Sequence, residues 1–486
     1  MELIKFIKVN YIVLSLLIFN VVIKLCFITA QPISHDEPFT IYHAQFDFFK
    51  IIEYLKNYNN PPFFELLLHF WIKIFGISAL SVRFLPMLFS SFSVVVLYQL
   101  CILLFNNRVA LIASLLMTFS TFQIYYAHDA RVYSLFLLAT LFSFYHFYAQ
   151  VILQRYSFSH LFWIIISNVL LVYAHYFGFI VWFIQFVILI LFYRKNIFAV
   201  KSYSITTAIC LILYVPHLII LFERFTHSAK NGTWLNPPHG FESIYNMFWS
   251  FCNVPVITVA VITLFVVSIL KFVVKRDWQV KESVVTQIVL WFLIPFLGMF
   301  FISYKIPMFI DRYLIFITPA FYILIALSIQ YLFNKKVIMY MSSSLLIAGF
   351  IFSCTLNPSK KRNIKEVVNF VTKNKSKSTI VIICSFDFAT TFAYYYDESI
   401  FKTINQNSEY NTMVSAFKKQ NIYFVNSIDS EQLKLIENFD SLLYVDAAAD
   451  FSVPGNNINE TLNTKYTKNS VHYEDNLFKI NGYSIR

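Results

Sequence analysis

SVRFLPMLFSSFSVVVLYQLCILL (81–104) carries a single charged residue, Arg83. As a helix rising ~1.5 Å per residue, it covers the ~30 Å hydrocarbon core of a bilayer. Working outward, apolar stretches recur near 9–30, 109–127, 131–152, 158–174, 177–193, 200–221, 253–272, 284–303, 313–333 and 337–356. With 81–104 they predict an α-helical polytopic membrane protein of about eleven transmembrane helices. Composition points the same way, since 58% hydrophobic residues, 56 Phe and only 13% charged residues over 486 positions exclude a soluble fold. The net charge of +12 does not indicate nucleic acid, because Lys and Arg collect at the ends of apolar stretches. Cys26, Cys101, Cys210, Cys252, Cys354 and Cys384 form no CxxC pair and read as packed thiols. Lys5 and Lys8 precede the first apolar run as in a secretory signal, but the run is long and lacks a small-residue cleavage site, so it reads as a retained helix.

Lys5/Lys8, Arg108, Arg155, Arg194/Lys195, Lys271/Lys275/Arg276/Lys281 and Lys335/Lys336 fall on alternate connections, which the positive-inside rule makes cytoplasmic. The opposite connections hold Asp36, Glu37, Asp47, Glu53, Glu65, Asp129, Glu223, Glu242 and Asp311. The expectation is an integral membrane protein, N-terminus cytoplasmic, with any active chemistry and everything after residue 357 on the extracytoplasmic side.

The connection after the first span opens SHDEPFTIYHAQ (34–45). Residues 38–57 read as one amphipathic interfacial helix, and after the Asn59–Pro62 break FFELLLHFWIKIF (63–75) reads as a second, with Glu65, His69 and Lys73 forming one wet stripe. Residues 1–356, including this 38–75 platform, are expected to form a transmembrane domain, and 357–486 a small extracytoplasmic α/β domain. Helical patterns near 364–373, 387–396 and 430–439 alternate there with the strand candidates TIVIIC (379–384), IYFV (422–425) and SLLYVDA (441–447).

Seven pieces stand in order: the Asp36–Glu37 pair, PP-x5-LH-x3-K-x-FG from Pro61, Arg83 opening the second span, YYAHDARVYSL (125–135), AHYFG (174–178), WLNPP (234–238) and DRYLIFITP (311–319). Together the chain, from about residue 8 to 356, resembles the C-type membrane glycosyltransferases, within them the group of protein O-mannosyltransferases and the lipid A aminoarabinose transferase. It departs where that group often has His before the double proline and this chain has Asn60.

The resemblance implies an inverting transfer of a sugar from a polyprenyl-phosphate donor to a lipid, glycan or protein acceptor at the periplasmic face of a bacterial inner membrane. Such a donor carries its own leaving group, so the protein must deprotonate an acceptor hydroxyl and neutralise phosphate. By resemblance Asp36 is the general base, Glu37 orients acceptor or metal, and Asp129 is a second acid facing the cavity. Arg131, Arg312, Lys305 and Arg83 are phosphate ligands, guanidinium matching phosphate oxygens bidentately. His128, His175, His69 and Trp234 are cavity residues. Each has a plainer reading. Asp36 or Glu37 suits an N-cap for the helix opened by Pro38. Arg83, Arg131 and Arg312 suit headgroup or ion-pair anchors, Lys24 snorkels outward, and Trp234 anchors its loop at the interface. His35, His128 and His175 with Asp36 and Asp129 come from separate loops without ligand spacing, so no cofactor is assigned and a divalent metal is left open. Membrane lipids are the other expected partners. The competing class is a transporter or flippase of lipid-linked saccharides, for which neither inverted repeats nor Gly/Pro-broken spans are evident.

Overall fold

The computed structural model describes residues 2–56, 58, 60–231, 235–275, 282–358, 362–403, 405, 408, 410–474 and 477–485. Trp234, Arg276 and Lys281 lie outside the described residues. The chain divides into two compact units: the first holds Met1–Ile28, Leu55–Phe64 and Arg83–Pro358, the second Thr29–Tyr54, Glu65–Val82 and Ser359–Arg486.

The first unit is helical: α1 (Glu2–Leu25), α5 (Ala79–Leu104), α6 (Asn107–Thr118), α7 (Thr121–Ala127), α8 (Tyr133–Val151), α9 (Phe158–Ala174), α10 (Gly178–Tyr193) and α11 (Ile197–Asn231). It continues through α12 (Phe241–Cys252), α13 (Pro255–Lys275), α14 (Glu282–Ile302), a 3-10 turn (Asp311–Ile317), α15 (Thr318–Leu332) and α16 (Lys336–Ser353). Among the described residues, seven helices are long and apolar enough to cross a membrane. The eleven apolar stretches take the form of these seven, one pair (α6 and α7) bent by 63°, and the shorter apolar helices Tyr11–Leu25, Phe158–Ala174 and Gly178–Tyr193, rather than eleven uniform spans.

The bend has an identifiable cause. A break inside a membrane frees backbone groups that must find partners. Asn253, held at φ 67° after α12, supplies them. Its Oδ1 accepts the Thr121 amide at 2.8 Å, and its Nδ2 donates to the Phe119 carbonyl at 2.9 Å. Lys24 corrects the sequence reading. Instead of snorkelling it is fully buried, and its ammonium donates to the Ser90 carbonyl at 3.1 Å. Ser91 and Ser93 bond back to carbonyls one turn earlier, which leaves the serine-rich face of α5 polar enough to receive it.

In the second unit the first connection is not one helix over 38–57 but two, α2 (Glu37–His43) and α3 (Phe48–Leu55). A straight helix would put Tyr42, Phe46 and Phe49 on one face. The break turns Tyr42 and Phe46 fully inward, Phe46 against Tyr54 at 5.0 Å, and leaves Phe49 81% exposed. Helix α4 (Phe63–Phe75) forms as read, but of its polar stripe only Lys73 is exposed. Glu65 and His69 are buried while Phe70, Ile74 and Phe75 are exposed. His69 Nδ1 donates to the Ala44 carbonyl at 2.9 Å, so α4 turns Glu65 and His69 inward and leaves Phe70, Ile74 and Phe75 outward.

The C-terminal segment of that unit is α/β, with α17 (Ile364–Asn374), α18 (Ala389–Tyr396), α19 (Glu398–Lys402), α20 (Asn411–Lys418), α21 (Ser430–Ile436), α22 (Ala449–Ser452) and α23 (Ile458–Lys465) around one sheet. Strands β1 (Thr379–Cys384), β2 (Ile422–Phe424), β3 (Ser441–Ala447), β4 (Thr467–Glu474) and β5 (Phe478–Ser484) run in the order β2-β1-β3-β5-β4. β1 is parallel to β2 and β3, and β5 is antiparallel to β3 and β4. Ile380, Ile382, Leu442, Tyr444 and Tyr483 form its core with Ile436, Ile458 and Leu462. The β4–β5 hairpin escapes the sequence reading because TKNSVHYE, largely exposed, offers no buried alternation.

Within this unit α2 packs on α18. Tyr42 stacks on Tyr410 with centroids 5.5 Å apart and meets Phe401 at 5.8 Å. Gln45 Nε2 donates to the Phe401 carbonyl at 3.4 Å, and the Tyr394 hydroxyl donates to the Ile77 carbonyl at 2.9 Å. Contact density therefore groups the first connection with the C-terminal segment, where composition alone divides the chain at 356/357.

Candidate active site

Asp36 and Glu37 stand at the start of α2, after His35 at φ 56°. Pro38 near the helix start fixes the backbone for entry. Asp36 occupies the N-cap position but makes no side-chain cap bond, and it is half-buried. Glu37 is fully buried and reaches back to accept the Ser34 amide at 3.1 Å. Glu37 thus ties the turn before α2 rather than capping the helix, and Asp36 at the N-cap position makes no side-chain cap bond. Both belong to the second unit, as does His69, which joins α4 to the turn after α2.

The cationic candidates belong to the first unit. Asp129 and Arg131 lie in the turn between α7 and α8, Asp129 buried and its carbonyl accepting the Arg131 amide at 2.7 Å. His175 lies in the turn between α9 and α10, and Asp311 and Arg312 open the 3-10 turn before α15. These three turns come together. The Tyr126 hydroxyl donates to Asp311 Oδ1 at 3.1 Å, and the Arg312 guanidinium lies 5.9 Å from the Tyr133 ring and 5.6 Å from the Tyr313 ring. His175 stacks on Phe136 at 4.8 Å and meets Tyr313 edge-on at 5.8 Å. Its Nδ1 accepts the Phe177 amide at 3.2 Å, which leaves the ring proton on Nε2. Burial, and then the positive charges of Arg131 and Arg312, hold the His175 pKa down at about 3. The cluster is thus two guanidiniums and a neutral N–H donor set in aromatic rings, an arrangement that can receive a phosphate.

Other candidates lie differently. Arg83 is fully buried and donates Nη1 to the Ile28 carbonyl at 3.0 Å. His128 caps α7, its Nε2 donating to the Lys24 carbonyl at 2.6 Å. Lys305 is exposed after α14. Tyr126, Tyr133 and Tyr313 escape sequence reading, since in a chain with 31 Tyr only their shared adjacency to the Asp/Arg turns marks them. Among the described residues no three His, Cys, Asp or Glu side chains group as a metal site.

Residues 59–220 match the family model of dolichyl-phosphate-mannose-protein mannosyltransferases. ArnT from Cupriavidus metallidurans bound to undecaprenyl phosphate superposes with a TM-score of 0.61 at 11% identity, over 97% of this chain and 98% of that one. The chain has the fold of the C-type membrane glycosyltransferases. The apo state of the same ArnT gives a TM-score of 0.62 at 10% identity, over 98% of both chains. The oligosaccharyltransferase AglB from Archaeoglobus fulgidus, in complex with an inhibitory peptide and a dolichol-phosphate, gives 0.52 at 11% identity over 99% of this chain and 75% of that one. No curated protein sequence matches the chain. The motif order thus leads to the same group as the matched segment and the fold. The fold shared with ArnT covers both units, the helical one and the one that holds the sheet.

Proposed function

We propose that the chain is a membrane glycosyltransferase that moves one sugar from a polyprenyl-phosphate donor to an acceptor hydroxyl on the extracytoplasmic side, with inversion. The Asp36 carboxylate takes the proton of the acceptor hydroxyl. The freed oxygen attacks the anomeric carbon as the bond from that carbon to the phosphate oxygen breaks. The phosphate leaves on the polyprenyl chain, its charge held by Arg131 and Arg312 with a hydrogen bond from His175 Nε2. Glu37 holds the turn that presents Asp36. The observation that carries this reading is the meeting of Arg131 and Arg312 around buried, neutral His175. The ArnT and AglB structures hold undecaprenyl phosphate and dolichol-phosphate, ligands of the kind such a cluster suits.

The test is turnover by purified protein in lipid nanodiscs with radiolabelled polyprenyl-phosphate sugars and candidate lipid, glycan and protein acceptors. Wild type forms product, and Asp36→Asn, expressed at the same level, forms none. Wild-type turnover by the variant removes Asp36 as the base. In sealed vesicles, label carried across the membrane unchanged would favour the transporter instead.

A further inference from the structure

Between α9 and α11 runs a cavity of about 330 Å³, at the lower end of the ~300–1,000 Å³ usual for ligand sites. Its walls are apolar: Leu161 and Ile165 from α9, Phe198, Ile205 and Ile209 from one face of α11. From Phe198 to Ile209 that face extends ~16 Å, about one leaflet of the hydrocarbon core. Polar groups collect at one end. Lys201, exposed in the first turns of α11, lines the cavity together with Tyr156. The Tyr156 hydroxyl is buried and has no partner among the described residues. Ser202 accepts a hydrogen bond from Gln150 Nε2 at 2.5 Å, so its own proton is available to donate.

The charge of this region is one-sided. No Asp or Glu occurs between Asp129 and Glu223, while Arg155, Arg194, Lys195 and Lys201 gather at this end of the helices. Arg131 precedes α8 and Arg155 follows it, so the groove lies at the other end of that helix from the His175 cluster, a helix length of ~28 Å away. It is not part of the proposed transfer site.

We propose that this groove seats an anionic phospholipid of the surrounding leaflet, one acyl chain against α9 and α11 and the phosphate on Lys201 and the Tyr156 hydroxyl. Basic pockets between transmembrane helices bind anionic headgroups by this combination of charge and slot. An acyl chain satisfies the walls, and a phosphate diester supplies the acceptor that the buried hydroxyl lacks.

Native mass spectrometry of the full chain, released from bilayers of equal phosphatidylglycerol and phosphatidylcholine, tests this. The wild type retains phosphatidylglycerol over phosphatidylcholine by about tenfold, worth ~1.4 kcal/mol. Lys201→Glu, at an exposed position, abolishes the preference. Ile205→Trp, at a side chain 60% exposed, fills the slot and abolishes retention. Equal retention of both lipids by wild type, an undiminished preference in Lys201→Glu, or retained lipid in Ile205→Trp overturns the proposal. A polyprenyl phosphate held in place of the phospholipid also overturns it.

Discussion

Glu37 and Asp36 are adjacent in the chain, yet Glu37 is sealed at 0% exposure on the Ser34 amide while Asp36 is half-buried and makes no cap bond. Substitutions should therefore separate stability from chemistry. Glu37→Ala leaves a buried amide without its acceptor and lowers the stability of the solubilised protein by ~1–3 kcal/mol in thermal unfolding. Asp36→Asn leaves the melting temperature unchanged and removes transfer. At the phosphate cluster, Arg312→Lys loses the planar fork and the contact with the Tyr133 and Tyr313 rings. Steady-state kinetics should show kcat/KM reduced by about 10–100-fold, the cost of one charge-assisted hydrogen bond. His175 fixes a pH dependence. Its folded-state pKa of about 3 lies below the ordinary 6.5, so between these values the unfolded chain binds a proton that the folded protein refuses. Stability from this residue is complete above pH 6.5 and declines as pH falls toward 3. By pH 5 about 2 kcal/mol is lost. Melting curves of wild type and His175→Gln should converge as pH is lowered, and parallel curves would contradict this environment.

At the scale of elements, the α6–α7 break draws on the local Ser120 cap, which accepts the Gln123 amide, and on one side chain from elsewhere in the chain. Asn253 satisfies the Thr121 amide and the Phe119 carbonyl, and its Nδ2 also lies 3.3 Å from the Phe350 carbonyl. Asn253→Leu strands these groups in an apolar setting and should destabilise the bundle by roughly 2–4 kcal/mol. It should also depress transfer, because α7 carries Tyr126 and leads directly into Asp129 and Arg131. Asn253→Asp keeps the acceptor for Thr121 and is expected to be milder in the same melting experiment. The sequence shows the apolar run over 109–127 but not its bend, since no Pro or Gly marks positions 118–121 and the compensating residue lies more than a hundred positions away.

For the whole molecule, the C-terminal segment is more than an appended domain. Tyr394, Phe401 and Tyr410 hold α2 and the chain near Ile77 in one compact unit. Deleting residues 359–486 is therefore expected to expose the Asp36 segment to limited proteolysis and to abolish transfer even if the helical bundle survives in detergent. A truncated chain with wild-type protease resistance over 29–54 would show that the C-terminal segment is dispensable for that fold. The legibility of this protein follows the range of the forces involved. Span length, apolar composition, the strands TIVIIC and SLLYVDA and the helix 63–75 are local consequences of side-chain chemistry, so the sequence by itself determined them. The inward turn of Glu65 and His69, the burial of Lys24, the bend at Phe119 and the division of labour between Asp36 and Glu37 were decided only by the tertiary structure. Each depends on which distant carbonyl, amide or ring can satisfy a polar group where water is scarce, and spacing along the chain does not encode that choice.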